Sequence, residues 1–185
     1  SFTNCSANNN SFNGYEVESG YFVNCIARDN NSYGFSISGE DSSEIINCIS
    51  VNNSGSGFIF GNSTASITNS VVIENGYSGL NATGDSDISI HNSIFFYNVG
   101  DELIGESGTS ISINYSDIED GSTYGSWATG NGNIDSDPFF VTLNTDLHLQ
   151  EDSDCINAGD PATAYNDTDG TQNDMGAYGG PNGDW

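Results

Sequence analysis

The chain has 185 residues, of which 26 are Asp or Glu and only one, Arg28, is Lys or Arg, so the formal net charge is −25. This length fits one domain of ordinary size, and the near absence of basic side chains excludes the phosphate-binding surface that a nucleic-acid partner requires. No run of about 18 apolar residues is present, so the sequence predicts no membrane insertion.

A short motif recurs through the first two thirds of the chain: an apolar residue, a variable residue, Asn, and then Cys or Ser. Its copies end at Cys5, Cys25, Cys48, Ser70 and Ser93, and a sixth copy, ending at Ser116, has Tyr115 in the Asn position. Five residues further on, Asn recurs at positions 10, 30, 53, 75 and 98. Nine residues further on, Gly recurs at 14, 34, 57, 79 and 125, with Glu102 as the exception. Several columns with one period of 20 to 23 residues indicate a solenoid.

Each repeat holds short apolar stretches separated by Asn and Gly, which tolerate the positive φ of sharp turns. Strands this short cannot bury an apolar face alone, but stacked coils would place identical positions about 4.8 Å apart in parallel sheets. Stacked Asn side chains would then hydrogen-bond one another along the axis. No apolar stretch has a period of 3.6 residues. The sequence therefore predicts an all-β fold, a right-handed parallel β-helix of about six coils over residues 1–128, with an irregular closing segment over 129–185.

The chain opens inside a repeat, at Ser1-Phe2-Thr3-Asn4-Cys5, with no cap over the first coil. Solenoid ends expose apolar side chains and unpaired strand edges, which normally need covering. We therefore expect either that the chain is a piece of a longer solenoid or that its first coil contacts a neighbouring copy.

Three of the four cysteines, Cys5, Cys25 and Cys48, share one column, which Ser continues in the later coils. Replacement by Ser favours small stacked side chains over a disulfide framework, since parallel in-register strands suit disulfide geometry poorly. No Cys-x-x-Cys pair is present, so no zinc site is predicted. We expect buried free thiols.

The strand that follows each Cys or Ser is apolar on both faces. One set of alternate residues is Ala27, Val72, Phe95 and Ile118, and the other is Ile26, Ile49, Val51, Val71, Ile73, Ile94 and Phe96. A strand can turn only one set into the coil. We expect the closing segment to cover the other set with its apolar residues, Phe139, Phe140, Val141, Leu143, Leu147 and Leu149.

Two motifs of the C-terminal third carry a family resemblance, Asn133-Ile134-Asp135-Ser136-Asp137-Pro138 and Asp174-Met175-Gly176-Ala177-Tyr178-Gly179-Gly180. Together with the Ile-x-Asn-Ser/Cys repeats, they resemble secreted right-handed β-helix surface proteins of the pectate-lyase-like superfamily. The resemblance implies the β-helix fold and an extracellular or cell-surface location. It leaves the activity open, because the group contains both enzymes and binding or adhesive modules.

The sequence lacks the residues on which β-helix enzymes depend. Polysaccharide lyases use Lys or Arg as the base, and this chain has no Lys; the Asp-Asp, Gly-His-Gly and Arg-x-Lys motifs of related hydrolases are also missing. The paired carboxylates Glu40/Asp41, Asp85/Asp87 and Asp101/Glu102 are interpreted as solvated turns. We therefore assign no catalytic residue and expect a non-catalytic module. The alternative is part of a polysaccharide lyase or glycoside hydrolase whose catalytic residues are missing or unrecognised.

Solenoids expose long flat faces, so a non-catalytic module could bind a glycan or serve as a structural, adhesive or self-associating unit. The candidate ligand-face aromatics are Phe95, Phe96, Tyr97 and Tyr124, which could stack on sugars.

Carboxylates concentrate where the solenoid ends, with 17 of the 26 acidic residues lying after residue 100. Within residues 167–174, Asp167, Asp169, Thr171 and Asp174 alternate around a Gly, a spacing that lets one loop wrap a hard cation. Asp160 or a backbone carbonyl would complete the shell. The sequence predicts a Ca²⁺ site here, and a solvated Asp/Gly turn is the alternative.

Overall fold

The computed structural model describes residues 1–121, 130–183 and 185. Within them the chain forms three parallel sheets, one antiparallel hairpin and one 3-10 helix, Thr163–Tyr165. Sheet A contains β1 (Phe2–Thr3), β4 (Tyr21–Val23), β7 (Ser43–Ile46), β10 (Thr64–Thr68), β13 (Asp87–His91) and β16 (Ser110–Asn114). Sheet B contains β2 (Ser6–Asn8), β5 (Ile26–Arg28), β8 (Ile49–Val51), β11 (Val71–Ile73), β14 (Ile94–Phe96) and β17 (Asp117–Ile118). Sheet C contains β3 (Tyr15–Val17), β6 (Phe35–Ile37), β9 (Phe58–Gly61), β12 (Leu80–Thr83) and β15 (Leu103–Gly105), and the hairpin pairs β18 (Phe140–Thr142) with β19 (Asp146–Leu149).

Each repeat supplies one strand to each sheet, and neighbouring coils pair in parallel register. In sheet A the motif's apolar residue is stacked from Phe22 through Ile45, Ile67 and Ile90 to Ile113. Described strands number six in sheets A and B and five in sheet C, so the solenoid has about five turns. The predicted all-β parallel β-helix is confirmed.

The interior of the coil is lined by alternate residues of all three sheets. In β13, Ile88 and Ile90 are buried and Ser89 between them is exposed. Aromatic side chains form a column in sheet C, where the rings of Tyr15, Phe35 and Phe58 stack with centroids 4.8 Å apart. This distance equals the spacing of stacked strands, and burying each such ring contributes roughly 1.5–3 kcal/mol.

The turn between sheets A and B explains the Asn of the motif. Asn4, Asn24, Asn47, Asn69, Asn92 and Tyr115 all have φ between 44° and 53°. Asn adopts this left-handed conformation at less cost than most residues, because its short side chain can hydrogen-bond locally. A two-residue turn whose first residue has this conformation joins the two sheets in every coil.

A second Asn column forms the predicted ladder inside the coils. The Asn75 Oδ1 accepts hydrogen bonds from the Asn53 backbone N–H and from Asn53 Nδ2, at 3.2 and 3.0 Å. The same pair of bonds links Asn10 to Asn30, Asn30 to Asn53 and Asn75 to Asn98. The ladder passes so close to the Gly column that a Cβ on Gly57 would lie 2.9 Å from Asn75 Nδ2. The close approach of the ladder therefore explains why Gly recurs in the sequence at the same period as Asn.

The closing segment covers the outer face of sheet B, as predicted. Ile49, Val51, Val71, Ile73, Ile94 and Phe96 form a buried cluster with Phe140, Leu147, Cys155, Met175 and Ala177. The prediction was wrong for Phe139, Val141 and Leu143, which are 48%, 49% and 39% exposed. The hairpin turns alternate residues toward the solenoid, so it buries Phe140 and leaves both of its neighbours exposed. The boundary predicted at 128/129 falls at the edge of residues 122–129, outside the described residues.

The turn Asn residues also hold the closing segment. Asn47 Nδ2 donates to the carbonyls of Ala177 and Gly179, at 2.8 and 2.7 Å. The side chains of Asn69 and Asn173 hydrogen-bond each other, each amide donating to the other's oxygen at 3.2 Å. The Asn residues of the motif therefore form the turns between sheets A and B and also bind the closing segment.

Candidate functional site

The turns between sheets C and A create a notch in the side of the solenoid. The strand register aligns Ile37, Phe60 and Ala82 before these turns and Ser43, Ala65 and Ile88 after them. Between those aligned positions, the turn from β9 to β10 has one residue fewer than the turns of the coils before and after it. The neighbouring turns therefore project beyond it on both sides.

Glu40 and Asp85 lie in the two longer turns that border the notch. Its lining consists of Ser38, Gly39, Glu40, Gly61, Asn62, Thr64 and Asp85, around a cleft of about 540 Å³. The turns that carry Glu40 and Asp85 are two coils apart, which is about 10 Å at the spacing of stacked strands. The sequence predicts separate solvated turns for these two carboxylates, whereas the structure places both in one cleft.

Several polar groups of the notch are free. Asn62 Oδ1 accepts a hydrogen bond from the Asp85 backbone N–H at 3.4 Å. Among the described residues, no hydrogen bond or ion pair engages Asn62 Nδ2 or the carboxylates of Glu40 and Asp85, and all three side chains are exposed. The notch thus offers a donor, several acceptors and no positive charge. The signal for it in the sequence is the 22-residue step from Cys48 to Ser70, between steps of 23.

The ligand-face aromatics predicted from the sequence do not form a ligand face. Phe95 lies inside the coil with none of its surface exposed, and Phe96 is 6% exposed beneath the closing segment. Both sit on a strand that is covered on its two sides. Tyr97 is half-buried, with its ring edge-on to Phe96 at 4.9 Å, and Tyr124 lies outside the described residues. The prediction was therefore wrong for Phe95 and Phe96.

The loop predicted to bind Ca²⁺ brings three carboxylates near one another. Burial raises the pKa of Asp167 and of Asp174, and the negative charge of Asp169 raises both further. The carboxylates also organise the loop: Asp167 accepts the backbone N–H groups of Asp174 and Gly180. The Thr171 hydroxyl, 2.6 Å from the Asp169 carboxylate, donates to it and lowers the pKa of Asp169.

Asp160, expected to complete the cation shell, is engaged elsewhere. Its Oδ2 lies 3.0 Å from His91 Nε2, and its Oδ1 accepts the backbone N–H of Ala162. Within the described ranges, no group of three or more His, Cys, Asp or Glu side chains is arranged to hold a metal ion. The Ca²⁺ site stays a prediction.

Two buried carboxyl groups escaped sequence analysis. Glu102 was interpreted as part of a solvated turn, but it is 4% exposed and ends the Asn ladder. Its Oε1 accepts the Asn98 backbone N–H at 3.1 Å, and its Oε2 accepts Asn98 Nδ2. Burial raises the pKa of Glu102 to about 8. Its place as the exception in the Gly column was the available signal.

Asp117 is the second buried carboxyl group and lies where sheet B meets the closing segment. It is fully buried and accepts hydrogen bonds from the Ser136 backbone N–H and from Cys155 Sγ, at 3.1 and 3.2 Å. Burial raises the pKa of Asp117 to about 6. These contacts join the last coil to the closing segment.

Comparison of the sequence with models of protein families, with curated proteins and with solved structures finds no match. The only helix among the described residues is the three-residue 3-10 turn, so none there could cross a bilayer.

Proposed function

We propose that the chain is a non-catalytic, extracellular β-helix module that binds carbohydrate in the notch between Glu40 and Asp85. The observation that carries the proposal is the β9–β10 turn, which is shorter than both neighbouring turns and leaves free polar groups lining a cleft. Binding sites are concave and carry a few convergent polar groups that fix the orientation of the ligand.

The chemistry of the notch suits sugar hydroxyl groups. The carboxylates of Glu40 and Asp85 accept hydrogen bonds from hydroxyls, and charge-assisted bonds of this kind are roughly twice as strong as neutral ones. Asn62 Nδ2 donates to a hydroxyl or ring oxygen. With a net charge of −25, the protein repels polyuronates, so the ligand is a neutral or positively charged glycan.

Titration against a glycan panel tests this proposal. Glu40→Gln combined with Asp85→Asn should weaken binding at least tenfold, since two charge-assisted acceptors are lost. Insertion of one Gly between Asn62 and Ser63 should also abolish binding, because it gives the short turn the length of its neighbours. Glu16→Gln, on the exposed face of sheet C, is the matched control and should bind normally. Absence of binding to every glycan, or equal binding by the insertion variant, would overturn the proposal.

One observation favours a second function, glycoside hydrolysis. Inverting glycosidases hold two carboxyl groups about 6.5–9.5 Å apart, and Glu40 and Asp85 line one cleft from turns about 10 Å apart, so that their side chains can reach toward each other across it. Release of reducing sugar from a bound oligosaccharide, lost in Glu40→Gln, would favour the hydrolase over the binding module.

We also propose that Ca²⁺ stabilises the closing segment through Asp167, Asp169, Thr171 and Asp174. The negative charge of Asp169 raises the pKa of Asp167 and of Asp174, and the charge of Asp167 also raises the pKa of Asp174, which supports this proposal because a divalent cation would relieve the repulsion.

Self-association through the first coil is the remaining part of the proposal. β1, β2 and β3 are each the edge strand of a sheet, and Phe2 is only partly buried on the first coil. Such an edge pairs readily with another chain, or with a further coil if the chain is a piece of a longer solenoid.

A further inference from the structure

The turns that join sheet B to sheet C form a regular edge of the solenoid, named here the B–C edge. In the first four coils each turn runs from a ladder Asn to the column Gly and has the same length: 10–14, 30–34, 53–57 and 75–79. The backbone N–H that follows each ladder Asn donates to the ladder Asn carbonyl oxygen of the preceding coil, at 2.9, 2.9 and 2.7 Å. Equivalent side chains of the turns therefore stand in rows along the solenoid axis, about 4.8 Å apart.

Aromatic side chains project from the B–C edge. Phe12 in the first coil is 77% exposed, and Tyr77 in the fourth coil is 55% exposed. Between them, the ring of the half-buried Tyr33 lies over the third coil, since a Cβ on Gly55 would be 2.7 Å from Tyr33 Cδ1. Among the described residues, none of these three rings stacks on another aromatic ring. Phe12 and Tyr77 are three coils apart, so the row of rings extends about 14 Å along the axis.

The groups beside these rings are polar and uncharged. Ser11, Asn31 and Ser54 form the row that follows the ladder Asn, and all three residues are exposed. Within the described part of the chain, their side chains have no hydrogen-bond partner. No charged residue or His occurs in the turns and just after them, over 10–15, 30–35, 53–60 and 75–84. In a chain with 26 acidic residues, the B–C edge is thus a surface that offers aromatic rings, hydroxyls and amides but no charge.

We propose that the B–C edge binds an uncharged, β-1,4-linked polysaccharide chain that lies along the solenoid axis. A pyranose ring has an apolar C–H face, which packs on an aromatic ring, and a rim of hydroxyl groups, which hydrogen-bond to polar side chains. The edge presents both kinds of partner in parallel rows. The rings of an extended β-1,4-linked chain follow one another at an interval close to the spacing of the coils, so successive sugars keep in step with successive turns.

This site is separate from the notch. The B–C edge precedes the strands of sheet C and the notch follows them, so the two sites lie at opposite margins of that sheet. The notch holds sugar hydroxyls through two carboxylates, whereas the edge holds a chain of sugars through its rings. The inference rests on the proposed function only for the class of its ligand, carbohydrate.

Calorimetric titration tests the proposal on the full chain with Glu40→Gln and Asp85→Asn, in which the notch is disabled. The probes are β-1,4-linked oligomers of glucose and of N-acetylglucosamine with two, four and six rings. At least one series should bind, and its affinity should rise at least tenfold from two rings to six, because only the longer chains reach from Phe12 to Tyr77. High salt should leave the affinity unchanged, since no charges are paired.

Substitutions in the row of rings locate the binding. Phe12→Ala and Tyr77→Ala should each weaken binding of the six-ring oligomer at least tenfold, while Tyr77→Phe, which keeps the ring, should bind normally. Both positions are exposed, so these variants should fold, and far-ultraviolet circular dichroism checks that they do. Tyr21→Ala, which removes an aromatic ring 44% exposed on sheet A, is the matched control and should bind as its parent does.

The outcomes separate this inference from the notch. Length-dependent binding that persists without the notch carboxylates and is lost in Tyr77→Ala would support the edge even if the notch binds nothing. Failure of both six-ring oligomers to bind, or equal binding by Phe12→Ala and Tyr77→Ala, would overturn the inference and leave the notch to its own variants. Loss of self-association in Tyr77→Ala without loss of glycan binding would also overturn it, because the edge would then be a contact between copies.

Discussion

At the scale of single residues, Glu102 shows how one side chain ends a repeating structure. The ladder needs an acceptor after Asn98, and the carboxyl group of Glu102 supplies it from the Gly column of the same coil. Glu102 thus satisfies the Asn98 backbone N–H, which has no other acceptor among the described residues, and leaving such a buried donor unpaired costs roughly 1–3 kcal/mol.

The raised pKa of Glu102 predicts that the protein becomes less stable as the pH rises. The folded state holds this proton up to a pH of about 8, and the unfolded chain releases it near the ordinary value of 4.5. The stabilising contribution of the proton is therefore present below pH 4.5 and is lost as the pH rises to 8, a change on the order of 3–5 kcal/mol. Urea unfolding at a series of pH values measures this loss.

Glu102→Gln should remove that part of the pH dependence and keep the ladder, because its amide oxygen can accept both Asn98 donors. Glu44→Gln, exposed on sheet A, is the control and should follow the wild type. If Glu102→Gln loses as much stability between pH 5 and 8 as the wild type does, the buried carboxyl is not responsible.

A second residue-scale prediction concerns the Gly column. A Cβ on Gly57 would lie 2.4 Å from Val72 Cγ1 and 2.7 Å from the Gly79 carbonyl oxygen, so Gly57→Ala must shift the backbone of the next coil. We expect a loss of about 1–3 kcal/mol in the free energy of unfolding, typical of overpacking. Gly61→Ala is the matched control, since its Cβ would find nothing nearer than 3.6 Å. Equal stability of the two variants in urea unfolding would refute the steric explanation.

At the scale of elements, the closing segment is required because sheet B is apolar on both faces. Deleting residues 139–185 exposes six apolar side chains, Ile49, Val51, Val71, Ile73, Ile94 and Phe96. A contiguous apolar patch of this kind drives association, so the truncated protein should aggregate or bind a hydrophobic dye. Val141→Asp, at a position 49% exposed, is the control and should stay soluble. A soluble, equally stable truncated protein would contradict the role of the segment as a cover.

The acidic loop of the same segment carries the Ca²⁺ prediction. Ca²⁺ that binds only the folded state raises the melting temperature by mass action, and Asp169→Ala should remove most of that shift. Asp152→Ala, another exposed carboxylate of the segment, should keep it. The measurement is thermal unfolding of chelator-stripped protein with and without millimolar Ca²⁺, and calorimetric titration that detects no binding would end the hypothesis.

At the scale of the whole molecule, periodic features were predictable from the sequence and single interruptions were not. The Asn ladder, the stacked thiols and the two-faced strand of sheet B all follow from columns, because one coil repeats its neighbour's environment. The notch depends on one missing residue in one turn, and the burial of Glu102 depends on the end of a column. The positions of Phe95 and Phe96 required knowledge that both faces of their strand are covered. These features depend on differences between coils, and a pattern of repeated residues does not reveal such differences.

The first coil offers a surface through which two molecules could associate. Its strands are the outer edges of sheets A, B and C, and the ring of Phe2 stacks on Phe22 at 4.8 Å, in line with the solenoid axis. A second copy meeting this coil about a two-fold axis would pair all three edges and bury both Phe2 rings in a closed dimer.

Sedimentation velocity should therefore show a fraction of dimer that increases with protein concentration. Phe2→Asp should keep the protein monomeric, because pairing would bury two like charges. Val99→Asp, at a site 79% exposed on a later turn, should dimerise as the wild type does. If the wild type stays a monomer at high concentration, the open edge does not mediate self-association.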